Sequence, residues 1–459
     1  MAKLEMRDMG KLMDVRYFVI AVATSCFLGC GGPSNLSEMQ VDIDSRLIRN
    51  LDSFSSDTVK SIQITSGFIP ALRSSVLLNE AYLSAQAIEL EAMSQVGVAE
   101  SFRRPQLLGN INFGGIRELD TIQDDETNTG VAGRLNLSQL VYDGGAAKSA
   151  INRATATAIS AEGDRIAEGN RIALEAASAW LNLWQHHERL KLMDARISVM
   201  DKLIDQIERM SKSGLIDRAS VDSARRQIVD VKLERSRLQA QKANSEVLFE
   251  RYFGLKLGEI KKPSGLISAD ECREYSKDWL DSPILRSKAA QVLAAEASVS
   301  EARAAFRPVA QIRSGAQSPW EKNESTDLTL GMTVEYAFND GGRRKKTLAS
   351  AEARLNATSG DFVNSQRALK AEVDSGLSRL SSIETSMPLL DDKLRLSRSE
   401  AEASRSQLLT GQSNLRFLIE AEIEIYRAQD QKITMLAERD ILSLTIAALT
   451  GALGKLIDL

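Results

Sequence analysis

The residues able to do chemistry are few and scattered. His186 and His187, the two histidines of the 459-residue chain, are neighbours. Neighbouring side chains on a helix diverge by about 100°, so the pair cannot close on one metal ion without ligands at i, i+4 or from elsewhere. No phosphate loop is present, and no Ser/His/Asp or Cys/His arrangement that these two could complete. The sequence predicts neither an enzyme nor a metal or cofactor protein. What does recur is Asp-Gly-Gly, in VYDGGAAKSA at 141–150 and YAFNDGGRRKKT at 336–347. Asp-Gly behind an alternating apolar run ordinarily marks a hairpin turn, yet helix-forming residues follow both times. The carboxylates of Asp143 and Asp340 are placed to cap a helix N-terminus. The pairs Gly144, Gly145 and Gly341, Gly342 permit a tight exit from a strand that ends at Tyr142 or Phe338.

A second reactive group is a cysteine. Lys3, Arg7, Lys11 and Arg16 precede an apolar run over 17–28, the layout of a secretory signal peptide, and the run ends in FLGCGG. Leu-Gly-Cys at that place resembles the bacterial lipobox, in which the cysteine is lipidated and becomes the mature N-terminus. Cys30 is the candidate, with Phe27 and Leu28 departing from the pattern. Cys26 in ATSC is the fallback, and a plain signal peptide over 1–30 is the other reading. With Cys272 the chain has three cysteines, too few and too scattered for a disulfide framework.

Two strand-to-helix corners require two copies of the elements that hold them. Aromatic residues are 5%, prolines number 8 and charged residues are 26%, a composition of long helices and coiled coils rather than a compact α/β core. A net charge of −4 gives no reason to expect a nucleic-acid partner. Gly144 and Gly341, Gly214 and Gly411, and Gly254 and Gly451 are each 197 positions apart, the mark of a duplicated unit. Between these landmarks Leu190, Met193, Ile197, Met200, Ile204 and Ile207 keep a three-four spacing, a coiled-coil seam. Val221, Ala224, Ile228, Val231 and Leu238 continue it, and their counterparts are Leu418, Ala421, Ile425, Ala428 and Met435. Each unit thus holds two long helices meeting at a glycine turn. The first helix, over 146–212, would be about 100 Å long. Pro388 is expected to kink or break its counterpart. Upstream, alanine-rich helices from Ser75 and Ser282 run into Phe-Arg-Arg-Pro and Phe-Arg-Pro. The expected division is 1–30 signal, 31–69 extension, 70–254 first unit, 255–281 linker and 282–459 second unit, each unit ordered helix, strand, strand, helix, helix.

The strands alternate. Leu135, Leu137 and Val141 are separated by Arg134, Asn136 and Ser138; Leu328, Leu330, Met332, Val334, Tyr336 and Phe338 share one face against Thr329, Gly331, Thr333 and Glu335. Preceding partners are LLGNINFGG, with Leu107, Ile111 and Phe113 on one face, and PVAQIRSGA, joined to them by polar loops at 118–130 and 317–326. Strands of about 10 residues suit a tilted membrane crossing. The most apolar helical run, ILSLTIAALTGAL, is too short for a membrane helix, which needs roughly 20 residues. A sheet in lipid must close, and four strands cannot do so when the smallest barrels have about eight. A membrane sheet here would be shared between chains.

QLVYDGG and YAFNDGG with their helices, SPILRSKAAQVLAAEASVSEARAAFRPV, LTGQSNLRFLIEAEIEIYRAQ and the terminal ALTGALG resemble the TolC-like outer-membrane efflux proteins from about residue 70 onward. The resemblance implies a mainly α fold: a homotrimer with a shared twelve-stranded β-barrel continued by a long α-helical coiled-coil tunnel through the periplasm. It implies an outer-membrane channel that works with a periplasmic adaptor and an inner-membrane transporter to export drugs, metals or proteins, some members carrying an N-terminal lipid. The adaptor-contacting tips would be Gly214, Leu215, Ile216, Asp217 and Gly411, Gln412, Ser413, Asn414. The periplasmic aperture would be lined at Phe417 and Glu420, where the family has two acidic residues; Phe417 departs from this. Arg343 to Lys346 read either as a solvated charge run or as a contact with lipid phosphates at the inner barrel edge. The rival reading is a lipid-anchored periplasmic coiled-coil scaffold or adaptor, which has no use for amphipathic strands.

Overall fold

The computed structural model describes Ser45 and residues 67–118, 126–213, 218–318, 326–409 and 415–459. The signal segment with Cys26 and Cys30, and the tip residues 214–217 and 411–414, lie outside the described residues. All elements below belong to one unit, Ile62–Leu459.

Helix α1 (Phe68–Leu77) is followed by α2 (Glu80–Ser101), and the chain breaks between them because Asn79 caps α2 through Ala81 N at 2.9 Å. Strands β1 (Gln106–Glu118) and β2 (Glu126–Tyr142) lead to α3 (Ala146–Lys212) and α4 (Arg218–Phe253). A short α5 (Ala269–Tyr275), opened by a Ser268/Glu271 capping box, and a 3₁₀ turn occupy part of the expected linker. Then α6 (Pro283–Ala304), β3 (Val309–Gln317), β4 (Asp327–Glu335), α7 (Arg343–Leu409) and α8 (Leu415–Thr450) follow, with α9 (Ala452–Leu456) at the end. Helices α3 and α7 have 67 residues each, and α4 and α8 have 36 each.

The first long helix has the bounds its sequence predicts. The second differs: α7 runs through Pro388 without a break. Its missing N–H costs one intrahelical bond, but Ile383 and Leu390 are buried on either side and hold the helix to its neighbours. Phe68, placed by sequence in the extension, opens α1 and is buried in the main core. There Trp180 of α3 meets Phe68, Phe249 and Phe253 edge-on at 5.5, 5.6 and 5.5 Å, while its Nε1 donates to Lys261 O at 3.1 Å. An indole buried this way keeps its N–H bonded while its rings fill the space where α1, α3 and α4 meet. A second cluster, Met200, Leu203, Ile207, Val221, Ile228, Leu418 and Ile419, ties α3, α4 and α8 together toward the hairpin ends.

The four strands form one antiparallel sheet in the order β1-β2-β3-β4. β2 begins inside the stretch expected as polar loop, because its ladder with β1 extends to Glu118 opposite Glu126. β4 ends earlier than the alternation predicts, at Glu335 opposite Val309. Pro308, just ahead of that partner, has no N–H to lengthen the ladder, so Tyr336 and Phe338 lie beyond the strand.

Candidate functional site

Each strand pair passes to its helix through a corner built by local chemistry. Asp143 accepts from Gly145 N at 2.8 Å and Ala147 N at 2.5 Å; Asp340 accepts from Gly342 N at 3.1 Å and Arg344 N at 3.0 Å. Gly144, Gly145, Gly341 and Gly342 have φ of 69°, 96°, 67° and 85°, the left-handed region that side chains resist. At Gly144 there is a second reason for glycine. A Cβ there would stand 2.6 Å from Arg307 Cβ, whose guanidinium donates to Gly144 O at 2.8 Å. At the other corner Arg344 bonds Asp340 at 2.9 Å and Ala337 O at 2.6 Å, and lies over the rings of Phe306 and Tyr336. Arg344 is therefore not part of a solvated run. Its backbone N–H, first of all, holds the Asp340 carboxyl below the usual carboxylate range; burial opposes this, and the guanidinium adds to the lowering.

The register sorts the sheet into two faces. Leu107 stands opposite Leu137, Phe113 opposite Val131, Leu135 opposite Ala316, Ile312 opposite Met332 and Ala316 opposite Leu328. Directly paired residues share a face, so the apolar sets of all four strands coincide. This face is open: Phe113 is 78% exposed, Leu328 79% and Leu330 81%. The other face carries Asn110, Arg134, Gln317, Gln311 and Thr333, with Arg134 Nε donating to Gln317 Oε1 at 2.9 Å. One detail differs from the sequence alternation. A register shift between Leu140 and Tyr142 sets Tyr142, rather than Val141, opposite Ala310.

At the hairpin end, Phe417 and Glu420 fall on the exposed side of α8 one turn apart, while Leu418 and Ile419 between them are buried. The arrangement brings the two aperture candidates onto one face. Sequence reasoning missed a neighbouring group. Arg196 of α3, 7% exposed, donates to Glu422 of α8 at 2.6 Å, and Arg405 of α7 reaches the same carboxylate at 3.1 Å. Arg189 forms a two-bonded pair with Asp430 at 2.6 and 3.0 Å. The signal for Arg196 was its spacing of three from Met193 and four from Met200, the buried stripe it interrupts. Burial lowers the Arg196 pKa and Glu422 opposes this. His186 Nδ1 lies 2.8 Å from Ser245 Oγ, and burial, then Arg189, lowers its pKa. Cys272 is in the core, its thiol pushed up to about 11 by burial. Among the described residues no group of three His, Cys, Asp or Glu side chains is placed to hold a metal, and no helix is long and apolar enough to cross a membrane.

Residues 278–452, which contain α6, β3, β4, α7 and α8, match the Outer membrane efflux protein family. Over this segment the chain is similar to that family. In fold the likeness extends beyond that segment. CusC matches with a TM-score of 0.75 at 17% identity, over 83% of this chain and 91% of its own. VceC, an outer membrane protein of Vibrio cholerae, gives 0.74 at 17% identity, over 83% of this chain and 96% of its own. The Campylobacter jejuni CmeC outer membrane channel gives 0.73 at 14% identity, over 86% and 89%. No curated protein matches the chain in sequence. The matched segment begins close to the start of α6 and ends at the start of α9, so it takes in the second corner, with Asp340 and Arg344, whole.

Proposed function

We propose that the chain is an outer-membrane channel-tunnel that exports small molecules or proteins across the periplasm and outer membrane, together with a periplasmic adaptor and an inner-membrane transporter. The observation that carries this reading is the sheet: four antiparallel strands with one largely apolar face, widely exposed on β1, β2 and β4, and two unpaired edges, β1 and β4. In lipid such edges must be joined. Three copies give twelve strands, a closed barrel with the apolar face in lipid and the Arg134 face toward the lumen. β3 and β4, nine residues each, have the length of a tilted crossing.

Two internal repeats, 70–254 and 282–459, would then supply alternate sectors of one wall, with the helices continuing it as a tunnel. The tip residues 214–217 and 411–414 would meet the adaptor. Glu420 and Phe417 would ring the periplasmic mouth, and Cys30 would carry the lipid anchor. A coiled-coil scaffold accounts for the helices but leaves the apolar sheet face without a role.

The test is cell fractionation followed by unboiled gel electrophoresis. A heat-sensitive outer-membrane band near three times 50.3 kDa is expected. A soluble or inner-membrane monomer would overturn the channel.

A further inference from the structure

The sheet meets the helices along one rim, and every strand has an aromatic residue there. Phe102 precedes β1, Tyr142 ends β2, Phe306 precedes β3, and Tyr336 and Phe338 follow β4. All are exposed, Phe338 at 91%. Cations lie next to them at both edges of the sheet. Arg103 and Arg104 follow Phe102 on the β1 side; Arg343, Lys345 and Lys346 stand in the first turn of α7 on the β4 side. Arg104 has a loose, exposed contact with Glu100 at 3.4 Å. The other four are exposed and form no ion pair among the described residues.

The α7 cluster is costly where it stands. Positive charge at a helix N-terminus opposes the macrodipole, and three more like charges crowd around Arg344. The corner itself does not require them. Asp340, the two glycines and Arg344 complete it, and the first corner has Ala146 and Ser149 where this one has Arg343 and Lys346, with Lys148 alone matching Lys345. Surplus cations beside exposed aromatics at the end of an apolar face match an anionic membrane surface, with rings at headgroup level and charges on the phosphates.

We propose that Phe338, Arg343, Lys345 and Lys346 of one copy and Phe102, Arg103 and Arg104 of the next form a site for anionic phospholipid headgroups across the seam between copies. The inference rests on the channel reading: in a closed barrel the β4 edge of one copy pairs with the β1 edge of its neighbour, which brings the two halves together. Headgroup phosphates relieve the charge at the α7 N-terminus and bridge two chains, so the lipid strengthens the assembled oligomer. Loss of one such cation weakens headgroup binding about fivefold.

The full-length oligomer is inserted into phosphatidylcholine vesicles with or without phosphatidylglycerol, and its dissociation temperature is read on unboiled gels. Phosphatidylglycerol should raise that temperature by several degrees, with the gain abolished by high salt. The variant Arg343→Gln, Lys345→Gln, Lys346→Gln should insert equally well, be no less stable in phosphatidylcholine, and lose the gain. Arg103→Gln with Arg104→Gln on the opposite edge should lose it too, and combining the two sets should remove nothing further. An equal gain in parent and variants, or no gain in a parent that inserts normally, would overturn the lipid site while leaving the channel intact. The same gain from inorganic phosphate in phosphatidylcholine would overturn it in favour of a soluble anion. A chain that inserts into neither vesicle would overturn the channel reading and this one with it.

Discussion

Arg405 donates to Glu422 at 3.1 Å across the α7–α8 hairpin, and the α3–α4 hairpin makes the same crossing with the charges exchanged, Arg225 donating to Glu208 at 2.7 Å. The two pairs are 197 positions apart. So are Asp194–Arg235 and Asp391–Lys432, which cross further along the same hairpins. What breaks the equivalence is Arg196, buried against Glu422 with Nε and Nη2 unbonded.

Glu422 is consequently the residue to remove. Glu422→Ala leaves a buried guanidinium without its counter-charge, an arrangement that costs about 3–5 kcal/mol, whereas Glu208→Ala, at an exposed pair, should change far less. Denaturant unfolding of the purified protein measures both. Adding Arg196→Met to Glu422→Ala should recover much of the loss; no recovery would mean that Glu422 acts through some other contact.

The corner glycines should rank by their surroundings. Gly341→Ala meets open space and suffers backbone strain alone, about 1–2 kcal/mol. Gly144→Ala adds the clash with Arg307 and should be worse. Thermal dissociation of the oligomer gives the order, and equal effects would remove the argument from close approach.

Asp340 sets a pH dependence. Its folded pKa is depressed, so its contribution is complete above the unfolded value, about 4, and is lost as pH falls through the lower folded value. Asp340→Asn should be less stable than the parent at pH 7, and the difference should shrink below about pH 4. A gap that stays constant down to pH 2 would assign the effect to shape, not charge.

At the proposed mouth, Glu420→Gln should lower the preference for cations over anions in planar-bilayer recordings, and Phe417→Ala should raise conductance. Unchanged ion preference would take Glu420 out of the aperture.

Lipidation has a direct readout. Cys30→Ser should abolish incorporation of labelled fatty acid and Cys26→Ser should leave it. The reverse would move the anchor to Cys26.

Local patterns carried much of this protein in the linear sequence. The Asp-Gly-Gly corners were legible because a carboxylate cap and a left-handed φ are demands that few residues meet, and the Ala146–Lys212 helix follows from its cap at one end and glycine turn at the other. Strand alternation marked the apolar residues because the period of two is intrinsic to the pleat. Tertiary packing decided what depends on a partner distant in sequence. Only pairing with β3 could reveal the shift at Leu140/Tyr142 or end β4 at Glu335, since the register belongs to two strands at once. Only three helices meeting could bury Arg196, and only Phe306 arriving beside Tyr336 could enclose Arg344 and leave its basic neighbours facing outward. A side chain's burial is a property of what packs around it, and here a packing neighbour lies as far off in sequence as Glu422 does from Arg196, 226 positions away.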